Sequence, residues 1–231
     1  MSSYGALDDG RRKDRRGRGD LAARGQGEPE LRRGALERAR GHVEPFLTPD
    51  ASAAYGINAG FGALAEVRIG HEDLTELQHR LIRSHAVGVG VPLGRAETRG
   101  MMLMRAHVLA LGYSGVRPVV VERLLEMLNA GVHPVIPSKG SVGASGDLAP
   151  LAHLALVLIG EGSAELEGEV LPGAQALANV GLTPLALEAK EGLSLINGTQ
   201  GMLSIGSLAL IRAERLTATA DGTGAIVLRP Q

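Results

Sequence analysis

The sequence has no cysteine and no tryptophan, and aromatic residues make up only 2% of its 231 positions. Without cysteine there is no disulfide framework and no thiolate metal site, which fits a reducing compartment. Without aromatics the core must be filled by Leu, Ala, Val and Met, and three of these four are strong helix formers. A dominant charge is lacking too. The net charge of −1 supplies no global attraction to nucleic acid or to anionic membranes. The longest apolar run, Leu148 to Ile159, is broken by Pro150 and His153 and is too short to span a bilayer. The N-terminus turns charged soon after Gly5, with no apolar stretch of the kind a secretory signal needs. The histidines do not fall at HxxxH or HExxH spacing, so no metal site is expected. A soluble cytoplasmic protein follows.

What is present falls into two parts. Residues 8–24 hold seven basic against four acidic side chains with almost no apolar periodicity. Residues 1–25 therefore read as a disordered basic arm. A nucleic-acid arm would call for interleaved aromatics, which are missing. Residues 26–231 read as mainly α. A weak helix is expected over Glu30–Phe46 and a stronger one over Glu72–Val87, where His85 continues the stripe Leu74, Leu77, Leu81. Another spans Glu97–Leu111, with Met101, Met104, Val108 and Leu111 as its core face. Pro118 opens the next, which carries Val120, Val121, Leu124, Leu125 and Leu128. Pro134 and Pro137 argue against a central strand ahead of the glycine-rich segment, so a dinucleotide-binding strand–loop–helix is not expected.

Asp147 reads as the N-cap of a buried apolar helix through Leu151–Ile159. A hairpin over Glu165–Leu171 and short helices around Ala174–Asn179 and Pro184–Glu191 follow. A long helix over Gly198–Leu216 completes the pattern, with Met202, Ile205, Leu208, Ala209 and Leu216 toward the core. Tyr55-Gly56-Ile57-Asn58-Ala59-Gly60-Phe61-Gly62 reads as a loop able to adopt positive φ.

The chemistry concentrates in Gly140-Ser141-Val142-Gly143-Ala144-Ser145-Gly146-Asp147. On the residues alone two readings stand. One is a glycine-rich turn feeding a helix N-terminus, where an anion can sit. The other is self-cyclisation. The amide nitrogen of Gly146 can attack the carbonyl of Ala144, because glycine has no Cβ to shield the nitrogen or limit φ. Loss of one water closes a five-membered ring, and loss of a second from Ser145 leaves an exposed methylidene carbon. That electrophile has no counterpart among unmodified side chains.

The stretch from Gly140 to His153 resembles the signature of the aromatic amino acid ammonia-lyases, whose 4-methylideneimidazol-5-one (MIO) group is made from Ala-Ser-Gly. Tyr55-Gly56-Ile57-Asn58 with Gly60-Phe61-Gly62 resembles that family's tyrosine loop. Ser84-His85-Ala86 with Gly88-Val89-Gly90 resembles its substrate-side-chain segment, and Asn197-Gly198-Thr199-Gln200 its asparagine motif. The resemblance runs from about Tyr55 to Leu216. It implies the N-terminal, MIO-bearing part of a helical ammonia-lyase fold, with Ala144, Ser145 and Gly146 forming the MIO group. Asn197 would hydrogen-bond beside it, Tyr55 would sit over the substrate as acid/base or orienting group, and His85 would meet the substrate side chain.

On the residues alone, Asn197 reads as an N-cap, Tyr55 as a packed loop tyrosine and His85 as a core histidine. A serine-histidine pair at 84–85 is similar to the histidine-specific members and implies elimination of ammonia from L-histidine to trans-urocanate, in histidine catabolism. Tyrosine-specific members also carry a histidine here, so tyrosine or phenylalanine elimination, or an aminomutase, stays open. The family further implies a homo-oligomer, a tetramer. The chain departs from the pattern at His107, Ala59 and its arginine-rich start. It also lacks the family's C-terminal helical half, with the tyrosine base, the arginine for the substrate carboxylate and a carboxylate for the imidazole. A fragment or inactive remnant with exposed apolar stripes is therefore the alternative expectation.

Overall fold

A computed structural model describes residues 28–48, 50–60, 66–70, 73–142 and 146–227. The arm expected at 1–25 lies outside the described residues, as do Phe61, Gly62, Gly143, Ala144 and Ser145. Helices dominate, as the composition implies. They are α1 (Glu28–Gly41), α2 (Leu74–His85), α3 (Arg95–Ala110), α4 (Pro118–Asn129), α5 (Leu148–Leu158), α6 (Gly173–Asn179), α7 (Glu191–Ile196) and α8 (Gln200–Val227). A short 3-10 turn at Glu44–Leu47 follows α1. Pro118 occupies the first turn of α4, where a missing N–H costs nothing. Gly112, at φ +78°, follows α3, and a Cβ there would lie 2.8 Å from the Ala35 carbonyl oxygen. The core is built from Met101, Met102, Leu109, Leu124, Met127, Leu151, Leu154 and Leu158, all essentially without solvent contact.

The face of α3 differs from the expected stripe. Its buried residues are Thr98, Gly100, Met101, Met102, Arg105, Ala106 and Leu109, while Leu111 is exposed. An arginine points into the protein, and hydropathy patterning places such a residue outside.

Among the described residues five short strands punctuate the helices: β1 (Val89–Pro92), β2 (His133–Pro134), β3 (Pro137–Lys139), β4 (Ser163–Leu166) and β5 (Glu169–Pro172). β1 and β3 form an antiparallel ribbon pairing Val89 with Lys139 and Pro92 with Pro137. The order β2-β4-β5 makes the other sheet. Both prolines thus sit in edge positions, where no ladder donor is lost. The hairpin turns through Glu167 and Gly168, both at positive φ, the geometry that matches strand twist.

The helix expected over Pro184–Glu191 does not form; helix begins only at Glu191. The cause is the buried Glu191 carboxylate, which gathers the chain around itself. It accepts from the Glu188 amide at 2.8 Å and from Arg117 through N at 3.0 Å, Nε at 2.8 Å and Nη2 at 2.7 Å. Lys190 is left-handed, at φ 75°. The hydrogen bond to Glu191 raises the Arg117 pKa above its usual value.

α8 also turns the opposite face inward. Gly201 and Ser204 are buried, whereas Met202, Ile205 and Leu216 are exposed by 41%, 42% and 71%. The approach to α3 is too close for large residues. The Ser204 hydroxyl donates to the Glu97 carbonyl at 2.7 Å, and a Cβ on Gly100 would lie 2.3 Å from that hydroxyl. The outer face of α8 also carries Leu203, Leu210, Ile211 and Ile226 as exposed apolar residues. No helix among the described residues is long and apolar enough to cross a membrane.

Two measurements test these supports. Glu191→Ala removes the acceptor of four donors and leaves Arg117 only the Glu188 carboxylate and the Ala186 carbonyl; urea unfolding should show a loss of about 1–3 kcal/mol. The second concerns pH. His153 on α5 accepts the Gly88 amide hydrogen through Nε2 at 3.1 Å, and burial lowers its pKa below 6.5. Burial lowers that of His133 as well, helped by the nearby Arg99 charge. The unfolded chain then binds more protons than the folded one, so this stability is present above about pH 6.5 and is lost as pH falls through the lower folded value. His153→Gln, which cannot titrate, should flatten the fall of the unfolding midpoint between about pH 7 and pH 5.

Candidate active site

The glycine-rich loop leaves β3 and returns at the head of α5 with both ends tied together. The Val142 amide donates to the Gly146 carbonyl at 3.3 Å, and the Ser141 hydroxyl donates to Asp147 Oδ1 at 2.5 Å. Ala144 and Ser145 lie between these ties, outside the described residues. Gly146 has φ +99°, and a Cβ on it would lie 3.1 Å from the Gly198 carbonyl oxygen. The next amide, Asp147 N–H, donates to that same oxygen at 2.7 Å. Gly146-Asp147 and Gly198, far apart in sequence, therefore meet backbone to backbone.

Asp147 stands at the N-cap position of α5, but its carboxylate makes no cap hydrogen bond there. Instead Oδ2 accepts the Met202 amide hydrogen at 2.8 Å. It serves an orphan donor in the first turn of α8, where the helix dipole favours an anion. A Cβ on Gly201 would lie 3.1 Å from the carboxylate. Asn197 is likewise not an N-cap: it terminates α7 as the C-cap residue, with its side chain on the exposed side.

Beneath that turn lies Arg105, 2% exposed. Nη1 donates to Gln200 Oε1 at 2.8 Å, and Nη2 donates to the Asn197 carbonyl at 2.9 Å and to the Ser194 carbonyl. Burial pushes its pKa down to about 10. A Cβ on Gly198 would lie 2.3 Å from Nη1, so the guanidinium packs directly against the turn. Sequence reasoning passed over Arg105. Its signal is position: it falls four residues after Met101 and four before Leu109, on the apolar face.

His85 ends α2, half-buried. Its Nδ1 lies 2.9 Å from the Leu81 carbonyl oxygen and 3.0 Å from the Ser84 hydroxyl. A carbonyl only accepts, so Nδ1 carries the hydrogen, and in the neutral imidazole Nε2 is then the acceptor. The chain beyond His85 is pinned to the stem of the glycine loop. β1 pairs with β3, and a Cβ on Gly140 would lie 3.2 Å from Gly88 Cα.

Tyr55 is 59% exposed, on a turn seated on α7. A Cβ on Gly56, at φ +72°, would lie 2.3 Å from Leu193 Cδ2. Asn58 organises this loop from within. Its Oδ1 accepts the Ala54 amide hydrogen at 2.6 Å, and Nδ2 donates to the Phe46 and Ser52 carbonyls at 2.7 and 3.0 Å. Asn197–Gly198 thus touches Gly146 directly, His85 is linked through the β1–β3 ribbon, and Tyr55 through α7. An apolar cavity of about 310 Å³ lined by Met101, Ser141, Pro150, Gly201 and Met202 adjoins the loop. A larger one, about 670 Å³, lies away from it between α1 and Lys190. Among the described residues no cluster of three or more His, Asp or Glu could hold a metal ion.

Residues 22–229 match the aromatic amino acid lyase family. The histidine ammonia-lyase of Stigmatella aurantiaca is 62% identical over 193 residues, covering 84% of this chain and 38% of that protein. That of Geobacillus thermodenitrificans is 50% identical over 194 residues, covering 84% and 38%. Among solved structures, the Pantoea agglomerans phenylalanine aminomutase superposes with a TM-score of 0.77 at 36% identity, over 83% of this chain and 36% of that one. The Trypanosoma cruzi histidine ammonia-lyase gives 0.73 at 38% identity, over 80% and 35%. The chain spans well under half the length of these relatives. With a family match over nearly its whole length and a glycine loop clasped by an Asn-Gly turn, the chain belongs to the aromatic amino acid lyase family.

Proposed function

We propose that this chain carries the electrophile-forming part of a histidine ammonia-lyase, which eliminates ammonia from L-histidine to give trans-urocanate. The observation that carries the reading is the seat of Gly146. Its positive φ strains any L side chain, and a Cβ there would crowd the Gly198 carbonyl oxygen at 3.1 Å. The Val142–Gly146 and Ser141–Asp147 ties hold the loop ends together. These features fit formation of an MIO group from Ala144-Ser145-Gly146. The Gly146 nitrogen bonds to the Ala144 carbonyl carbon, and the Ala144 oxygen leaves as water with the amide protons of Gly146 and Ser145. The Ser145 α-proton and hydroxyl leave as a second water. The group supplies an exposed electrophilic carbon that makes a substrate amine a better leaving group.

The chain's own side chains then bind and orient. With Nδ1 committed to Leu81, His85 offers Nε2 as acceptor to the N–H of an imidazole ring. Tyr55, on its exposed loop, is assigned to orient substrate or exchange its proton. Asn197 is assigned to a hydrogen bond beside the ring. The partner is thus a small amino acid. The exposed apolar side chains of α8 support a homo-oligomer, a tetramer as in the family, and the lack of cysteine suits the cytoplasm.

Intact mass of the purified chain beside Ser145→Ala tests the electrophile. The parent should be lighter by two waters and the variant should not; an unmodified parent mass would overturn the MIO reading. Substrate choice is tested in the catalytically competent assembly with His85→Leu. Losing one hydrogen bond to substrate should lower kcat/KM for histidine roughly 5- to 150-fold, equivalent to about 1–3 kcal/mol, with phenylalanine gaining. Unchanged urocanate production would remove His85 from the substrate site.

A further inference from the structure

Arg105 stands apart from Arg40, the other arginine buried among the described residues. Arg40 pairs with Glu188 at 2.7 Å. The acceptors of Arg105 are the Ser194 and Asn197 carbonyls and the Gln200 side-chain oxygen, none of them a carboxylate. Its Nε has no acceptor at all. A buried charge without a counter-ion is costly, and the depressed pKa reflects that cost. Packing alone would be served better by methionine, as at the neighbouring Met101 and Met102.

What the guanidinium provides is a fork. The Ser194 and Asn197 carbonyls belong to the C-terminal end of α7, where unsatisfied oxygens and the negative end of the dipole call for a cation. Gln200 opens α8. One rigid, planar group therefore spans the junction of two helices, which a lysine ammonium cannot reproduce. The Gly198 carbonyl is left free for the Asp147 amide. We propose that Arg105 is a positioning residue: it holds the Asn197–Gly198 turn against Gly146, and without it the Ala144-Ser145-Gly146 segment closes slowly or not at all. The second clause rests on the MIO reading above; the first does not. Ring closure depends on bringing a weak amide nucleophile onto a carbonyl carbon, and misplacement by about 1 Å is enough to slow such a step about 100-fold.

The test uses the full chain with Arg105→Gln and Arg105→Lys, read by intact mass and by amide hydrogen exchange. Arg105→Gln should slow the loss of two waters at least tenfold and speed exchange of the Asp147 amide at least tenfold. Core amides at Leu124 and Leu154 should stay protected. Arg105→Lys, which keeps the charge and one donor direction, should recover part of both. Leu124→Ala, a core variant that destabilises without touching the turn, should still lose both waters. Full dehydration of Arg105→Gln with parent-like Asp147 protection overturns the proposal. A parent that never dehydrates overturns the MIO reading, and the exchange comparison still decides whether Arg105 holds the turn. If Arg105→Gln does not fold, Gly198→Ala presses on the guanidinium from the other side. It should reproduce both effects, and parent-like maturation and exchange would overturn the proposal.

Discussion

The hydrogen bond from Asp147 N to the Gly198 carbonyl, 2.7 Å long, is the contact on which the site depends. It joins the head of α5 to the link between α7 and α8. Every nearby constraint serves that approach. Gly146 has positive φ where a side chain would strike Gly198, and Gly201 has no side chain to strike Asp147. The Asp147 carboxylate closes the arrangement by holding Ser141 on one side and Met202 on the other. Three segments that hydropathy alone would treat separately are thus one polar unit inside a helical protein, with both Asp147 carboxylate oxygens given a donor.

Helix α3 carries that unit on its back. The helix is packed through Met101, Met102 and Leu109, so Arg105 projects from a rigid support rather than a loop. Its neighbour α8 comes close because Gly100 and Ser204 are small. The same closeness reverses the usual rule on α8, with small residues inward and large apolar ones outward. An inverted helix of this kind has two packing faces, one filled by α3 and the other exposed among the described residues.

Much of this was legible in the sequence, and the failures share one cause. Helices with strong periodicity were found within a few residues, because burial of an apolar stripe is what fixes them: α4 begins at Pro118 and α5 is apolar on nearly every face. The family motifs singled out Gly146 and the Asn197-Gly198 turn, which the structure brings together. Errors arose where polar groups are buried. Arg105 shifted the face of α3, Glu191 replaced an expected helix by a turn, and Asp147 capped a helix other than its own. Such partners lie 92 residues apart in one case and 74 in another, so no local window contains both. α8 was misread for a related reason, since close approach selects size and not hydropathy.

The division between a closed core and an open helix face separates two requirements that are usually met together. The buried apolar cluster runs from Leu36 to Ile196 and draws no residue from α8. The glycine loop, Asp147, Arg105 and the Asn197–Gly198 turn all rest on that cluster or on the first turns of α8. The supports proposed for closing the Ala144-Ser145-Gly146 segment therefore lie within the packed part of the described residues. Turnover asks for more, since the tyrosine loop is exposed and the outer face of α8 is uncovered. On the proposed reading, making the electrophile and using it would place different demands on the chain, and the buried cation of Arg105 would serve the first of them.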